Sequence, residues 1–131
     1  MTFCLDTSAY SFFRRGHPEV VALVQTAAQI GVSAIVLGEL LAGFKQGSQQ
    51  RQNELALDAF LASKRVRVLA VDTTTAGRYA DVATYLRQQG TPLPSNDVWI
   101  AAHAMQHGLQ VVTLDKHFRL MPQISLRLLS P

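Results

Sequence analysis

The residues of this chain best suited to chemistry are its isolated carboxylates. Asp6, Asp72 and Asp115 each close a short apolar run, in "FCLD", "RVRVLAVD" and "LQVVTLD". Glu39 lies within "IVLGELLAGF", with Ile35, Val36, Ala42 and Gly43 as its neighbours one helical turn away on either side. A lone glutamate on so apolar a face is costly to bury without a partner or a metal, so Glu39 reads as functional. Asp97 opens "NDVWIAAHAMQHG". At about 100° per residue it shares an inward apolar face with Ile100, Ala101, Ala104 and Met105. There it also meets the positive end of the helix dipole. Asn96 and Ser95 already offer caps, which leaves Asp97 surplus to that job. Asp72 is different: it precedes "TTTAGRYADVA" and reads as a helix cap.

The same segment carries His103 and His107 four residues apart, a spacing used by zinc enzymes of the H-E-x-x-H type. Ala104 stands where such a site needs its glutamate. Helical phase turns His103 roughly 240° away from Asp97, beside Trp99 and Gln106 on the outer face. Both histidines therefore read as surface or interface residues.

What must position these acids is an alternation of strands and helices. Apolar periodicity predicts helices over 18–30, 36–46, 51–63, 73–90 and 96–107, with glycines 31, 47, 90 and 108 as stops. Short strands are expected at 3–6, 32–35, 65–72 and 109–115, with "KHFRLM" as a turn of helix and "ISLRLL" as a last edge strand. "TPLPS" (91–95) is a loop, since two nearby prolines forbid regular structure. The pattern implies an α/β/α sandwich with a central parallel sheet of four to five strands, in one domain over 1–131. Ligands bind such sheets outside the carboxyl ends of the strands, the edge where Asp6, Asp72 and Asp115 fall.

Composition narrows the class. An apolar fraction of 48% and a charged fraction of 16% suit a packed domain rather than a disordered one. No apolar stretch approaches the roughly 18 residues of a membrane span. The first residues lack the basic segment and apolar stretch of a secretion signal, so a cytoplasmic location is expected. The single cysteine, Cys4, excludes an internal disulfide and a cysteine-based zinc cluster, and reads as a small buried hydrophobe.

In this order and context, Asp6, Glu39, Asp97 and Asp115 resemble the acids of the PIN-domain ribonucleases, above all the VapC toxins of bacterial type II toxin–antitoxin systems. The likeness is carried by "LDTSAY", "VSAIVLGELLAG", "PLPSNDVWIAAHA" and "VVTLDKHF", and it spans essentially the whole chain. It implies a PIN-like sandwich in which the four acids gather one or two Mg²⁺ or Mn²⁺ ions for endonucleolytic cleavage of RNA. Asp6, Glu39 and Asp97 are then the principal ligands, while Asp115 holds a second ion or orients the water. Thr7, Ser8, Ser33 and Thr113 match hydroxyls that support the acids. The resemblance also implies a homodimer and a small VapB-like antitoxin that blocks the acidic site, for which exposed Trp99 and helices 18–30 and 51–63 offer contact surfaces.

Converging carboxylates repel one another, and hard divalent cations with oxygen ligands neutralise them. The formal net charge is +3; setting the four acids aside leaves five acids against 12 Lys+Arg, or +7 on the rest of the molecule. That surround suits a polyanion. Arg14, Arg15, Lys45, Lys116 and Arg119 follow the acidic segments closely and are the candidates to line its groove. A phospho-receiver-like signalling module is the alternative of similar size, but it needs an acidic pair after the first strand where this chain has only Asp6, and it leaves Glu39 unexplained. An aspartyl phosphatase wants a second acid two residues on, where Ser8 stands.

Overall fold

A computed structural model describes residues 1–131. Five short strands, β1 (Thr2–Leu5), β2 (Gln29–Ser33), β3 (Val66–Leu69), β4 (Gln110–Thr113) and β5 (Ser125–Leu128), pair in the order β3-β2-β1-β4-β5. Every pairing is parallel. Helices α1 (Thr7–Arg14), α2 (Pro18–Thr26), α3 (Ala34–Gln46), α4 (Gln50–Leu61), α5 (Thr73–Gln88) and α6 (Ser95–His107) make the crossovers that parallel strands require. The result is the α/β/α sandwich expected, with five strands. No helix is long and apolar enough to cross a membrane.

The strand order fixes where a ligand can sit. From β1 the chain moves out through β2 to β3, then returns to build β4 and β5 on the other side of β1. The order therefore reverses between β1 and β4. Crossovers leave that point in opposite directions and open a crevice at the carboxyl ends of the two strands. Asp6 follows β1 and Asp115 lies two residues past β4, so both flank the crevice. The central strands are buried on both faces, with Phe3, Cys4, Leu5, Ile30, Val32, Val111 and Val112 all in the core.

Several boundaries differ from the periodicity reading, each for a local reason. The helix predicted over 18–30 ends at Thr26, and Gly31 stops nothing. It lies mid-strand in β2, where an added Cβ would come within 2.6 Å of the Leu109 Cδ1 and 2.9 Å of the Leu69 Cδ1. The strand predicted over 65–72 covers only Val66–Leu69, since the chain beyond it runs out to cap α5. Residues 7–14, for which the periodicity predicts no element, form α1 with Ala9 and Tyr10 buried. Asp72 caps α5 as expected, accepting from the Thr75 amide at 3.1 Å in a reciprocal box with the Thr75 side chain.

Candidate active site

Asp6, Glu39, Asp97 and Asp115 come together. They line one cavity of about 300 Å³ with Thr7, Ser8, Asn96 and Ile100, the last its one apolar residue. Asp6 follows β1 directly and is the N-cap of α1, its side chain turned to a first-turn amide of that helix. Its Oδ1 accepts from the Ala9 amide at 2.8 Å and from the Ser8 hydroxyl at 2.7 Å, while Thr113 Oγ1 donates to Oδ2. Glu39, on the second turn of α3, accepts from Thr7 Oγ1 at 2.7 Å and from Asn96 Nδ2 at 2.6 Å. Asp115 caps the short 3-10 turn Lys116–Leu120 and accepts from His117, by the amide at 2.9 Å and by Nδ1 at 2.8 Å.

Asp97 occupies the first turn of α6 and faces the other three acids. Burial pushes its carboxyl up to about 6, and the charges of Asp115, Glu39 and Asp6 add to that; only His117 works the other way. Asp6 is also raised, by burial first, although the bonds from Thr113, Ala9 and Ser8 oppose the shift. Hydrogen-bond donors thus hold Asp6 and Glu39 in place, while Asp97 carries the uncompensated repulsion. No lysine or arginine is ion-paired with any of them, and the one ion pair of the chain is His117 with Asp115. Below Asp6, Cys4 is buried and its thiol is pushed up to about 12, mainly by burial, so it is an inert core side chain.

The site is a negative, oxygen-lined pocket, and that donor set fits a hard divalent cation. No three of these side chains stand close enough to ligate one ion in this arrangement. Each acid is instead turned toward its protein donors or held off by charge. A carboxylate has about four lone-pair sites, so Asp6 and Glu39 keep free ones while accepting these bonds. A bound cation would offset the mutual repulsion of these acids.

Of the hydroxyls, Thr7 bonds Glu39 while Ser8 and Thr113 bond Asp6, and Thr113 Oγ1 also accepts from the Asp115 amide at 2.9 Å. Ser33 does not touch the acids. It caps α3 through the Ile35 amide at 3.0 Å and bonds the His103 Nδ1 at 2.9 Å. His103 corrects the helical-phase reading: it is fully buried, not on an outer face. α6 packs against α5 as well as α3 and the sheet, so burial runs almost around it and phase alone marked only one of its inner faces. His107 bonds Arg67 at 3.1 Å. With Ser33 and the Ala70 carbonyl occupying both ring nitrogens of His103, the pair is no zinc site. Trp99, expected to be exposed, is half-buried and stacks on Tyr79 with centroids 4.1 Å apart. Asn96 caps nothing; Pro94 holds the cap position and the Asn96 amide goes to Glu39. Asn96 and His117 are the site contacts the sequence reading missed. Their adjacency to Asp97 and Asp115 was the available signal.

The cations separate into groups. Lys116 and Arg119 line a cavity of about 500 Å³ that shares Asp115 with the acidic one. Arg14 and Arg15 line another, of about 480 Å³, with Tyr10, Ser11, Leu40 and Phe44. Lys45 is exposed in the last turn of α3 and lines neither.

The fold and the site together define a parallel α/β domain with carboxylates gathered at its switch point. The PIN domain sequence profile matches residues 3–123, and the chain belongs to the PIN-domain family. It is 33% identical over 94 residues to ribonuclease VapC4 of Mycobacterium tuberculosis, 72% of each chain. Ribonuclease VapC2 of Rickettsia felis is 30% identical over 131 residues, 96% of each. Among solved structures, VapBC2 of Rickettsia felis bound to a promoter DNA fragment superposes with a TM-score of 0.84 at 28% identity, covering 98% of this chain and 99% of that one.

Proposed function

We propose that this chain is a VapC-type endoribonuclease, the toxin of a type II toxin–antitoxin pair, which hydrolyses RNA phosphodiester bonds at the cavity of Asp6, Glu39, Asp97 and Asp115. The observation that carries it is the gathering of four carboxylates with no lysine or arginine paired to any of them, in a chain that is otherwise basic. Mg²⁺ or Mn²⁺ held by these acids would polarise the scissile phosphate and activate a water. Asp6, Glu39 and Asp97 are the principal ligands, and Asp115 completes the set. Thr7 and Asn96 orient the oxygens of Glu39, and Ser8 and Thr113 those of Asp6.

Lys116 and Arg119, in the cavity that shares Asp115, would hold the RNA backbone beside the acids, and Arg14, Arg15 and Lys45 are further cations for the same strand. The chain acts as one domain in the cytoplasm, as a homodimer restrained by a small VapB-like antitoxin. The similarity to ribonucleases VapC4 and VapC2 supports the ribonuclease part of this reading, and that to the VapBC2 structure supports the antitoxin partner.

The experiment is cleavage of cellular RNA by the purified protein. EDTA is expected to abolish it and Mn²⁺ to restore it; cleavage that persists in EDTA contradicts the proposal. A second expectation concerns stability. Asp97 titrates from 3.8 to about 6 on folding and Asp6 is raised too, so the folded state binds these protons more tightly than the unfolded chain. The contribution of these two carboxyls to metal-free stability is therefore fullest below about 4 and is lost as the pH rises through about 6, whereas buried His103, with its pKa lowered, contributes in the opposite sense. Mn²⁺ replaces the lost protons, so its effect on the melting temperature should be large at pH 7.5 and small at pH 5. Equal stabilisation at both pH values would place the ion elsewhere.

A further inference from the structure

His103 is fully buried, yet it lies well down α6 from the acids and touches none of them. Its Nε2 faces the Ala70 carbonyl at 3.1 Å. A carbonyl only accepts, so Nε2 carries the hydrogen and Nδ1 is left as an acceptor. The Ser33 hydroxyl therefore donates to Nδ1 at 2.9 Å, while its oxygen accepts from the Ile35 amide at 3.0 Å. Burial lowers the pKa of His103, which agrees with the neutral ring this arrangement needs.

These bonds join two helices that carry the candidate site. Ser33 caps α3, and Glu39 lies six residues further along it. Asn96 stands at the start of α6, and His103 seven residues further along. Ser33 meets His103 and Glu39 meets Asn96, so the helices run antiparallel with two polar ties. At 1.5 Å rise per residue the ties are separated by about 9 Å on one helix and about 10 Å on the other. The spacings match, so a single register satisfies both. A slip of one residue would move α6 by about 1.5 Å and turn it by about 100°, breaking both ties and carrying Asp97 away from Glu39.

We propose that His103, through its Nδ1 bond to Ser33, is a positioning residue that sets the register of α6 against α3 and so places Asn96 and Asp97 against Glu39. The inference rests on the nuclease reading of the carboxylate cavity. The test uses two conservative variants that each keep half of the histidine. Asn places an acceptor near Nδ1 and retains the Ser33 bond, whereas Gln places a donor near Nε2 and retains the Ala70 bond. Purified wild-type, His103→Asn and His103→Gln proteins are compared by thermal melting, by Mn²⁺ titration followed by electron paramagnetic resonance, and by kcat and KM on RNA.

Both variants are expected to melt earlier than wild type, since each loses one buried hydrogen bond. His103→Gln is expected to bind Mn²⁺ about tenfold more weakly and to lower kcat with little change in KM, while His103→Asn stays close to wild type in both. Equal Mn²⁺ affinities in the two variants, impaired or not, would reduce His103 to a satisfied core side chain and overturn the proposal. The nuclease reading fails by a different result: wild type and Asp6→Ala binding Mn²⁺ alike, which removes the site His103 is proposed to position.

Discussion

Asp97→Asn is expected to lower metal-dependent RNA cleavage by about a hundredfold or more and, in the same protein, to raise the metal-free melting temperature. The two effects share one cause. Asp97 is the acid on which the site's repulsion falls: burial and the charges of Asp115, Glu39 and Asp6 hold its carboxyl up at about 6. At pH 7.5 that carboxylate is ionised against its surroundings, so the folded apo protein carries a destabilising charge there. Asparagine keeps the size and polarity and removes the charge. The apo fold relaxes, while the pocket loses a ligand whose negative charge a divalent cation needs. Activity assays and melting curves on one preparation check both halves. A variant that lost activity and also melted earlier would mean that Asp97 holds the fold rather than a cation.

Asp6 should behave differently, because it serves the fold as well. Asp6→Ala removes the N-cap of α1 and leaves the Ser8 and Thr113 hydroxyls without their shared acceptor. Loss of such a cap costs about 1 kcal/mol, and the orphaned hydroxyls add to it. Asp6→Asn keeps a good capping residue and an acceptor for the Ala9 amide, so its melting temperature should stay near wild type. Cleavage is expected to be lost in both variants, again by about a hundredfold or more. Denaturant or thermal unfolding separates the two functions. Substantial cleavage by Asp6→Asn would remove Asp6 from the proposed ligand set.

How much of this was legible in the sequence depended on what each residue's position can reveal. Glu39 and Asp97 were legible because a carboxylate on an apolar helical face stands out against the periodicity around it. Asp6 and Asp115 were legible as acids at strand ends, once the alternation of elements implied a parallel sheet. α1 was missed because "TSAYSFFR" shows mixed polarity, and its start is set by the Asp6 side chain rather than by a run of helix formers. His103 was placed on the wrong side because helical phase presumes one inward stripe, and α6 has neighbours on more than one face. Gly31 was read as a helix stop because a glycine that makes room for Leu69 and Leu109 looks, in sequence, like any other glycine. What stays hidden is information carried by tertiary neighbours: which donor reaches Glu39, and which hydroxyl reaches His103.

The proposed reaction requires that Asp6, Glu39, Asp97 and Asp115 form a site for a divalent cation. Anomalous diffraction from crystals soaked in Mn²⁺, at near-neutral pH, tests it most directly. A strong anomalous peak is expected in the cavity bounded by these four side chains, present in the wild type and lost in crystals of Asp97→Asn. Well-ordered wild-type crystals with no peak there, while the same preparation cleaves RNA in Mn²⁺, would contradict it.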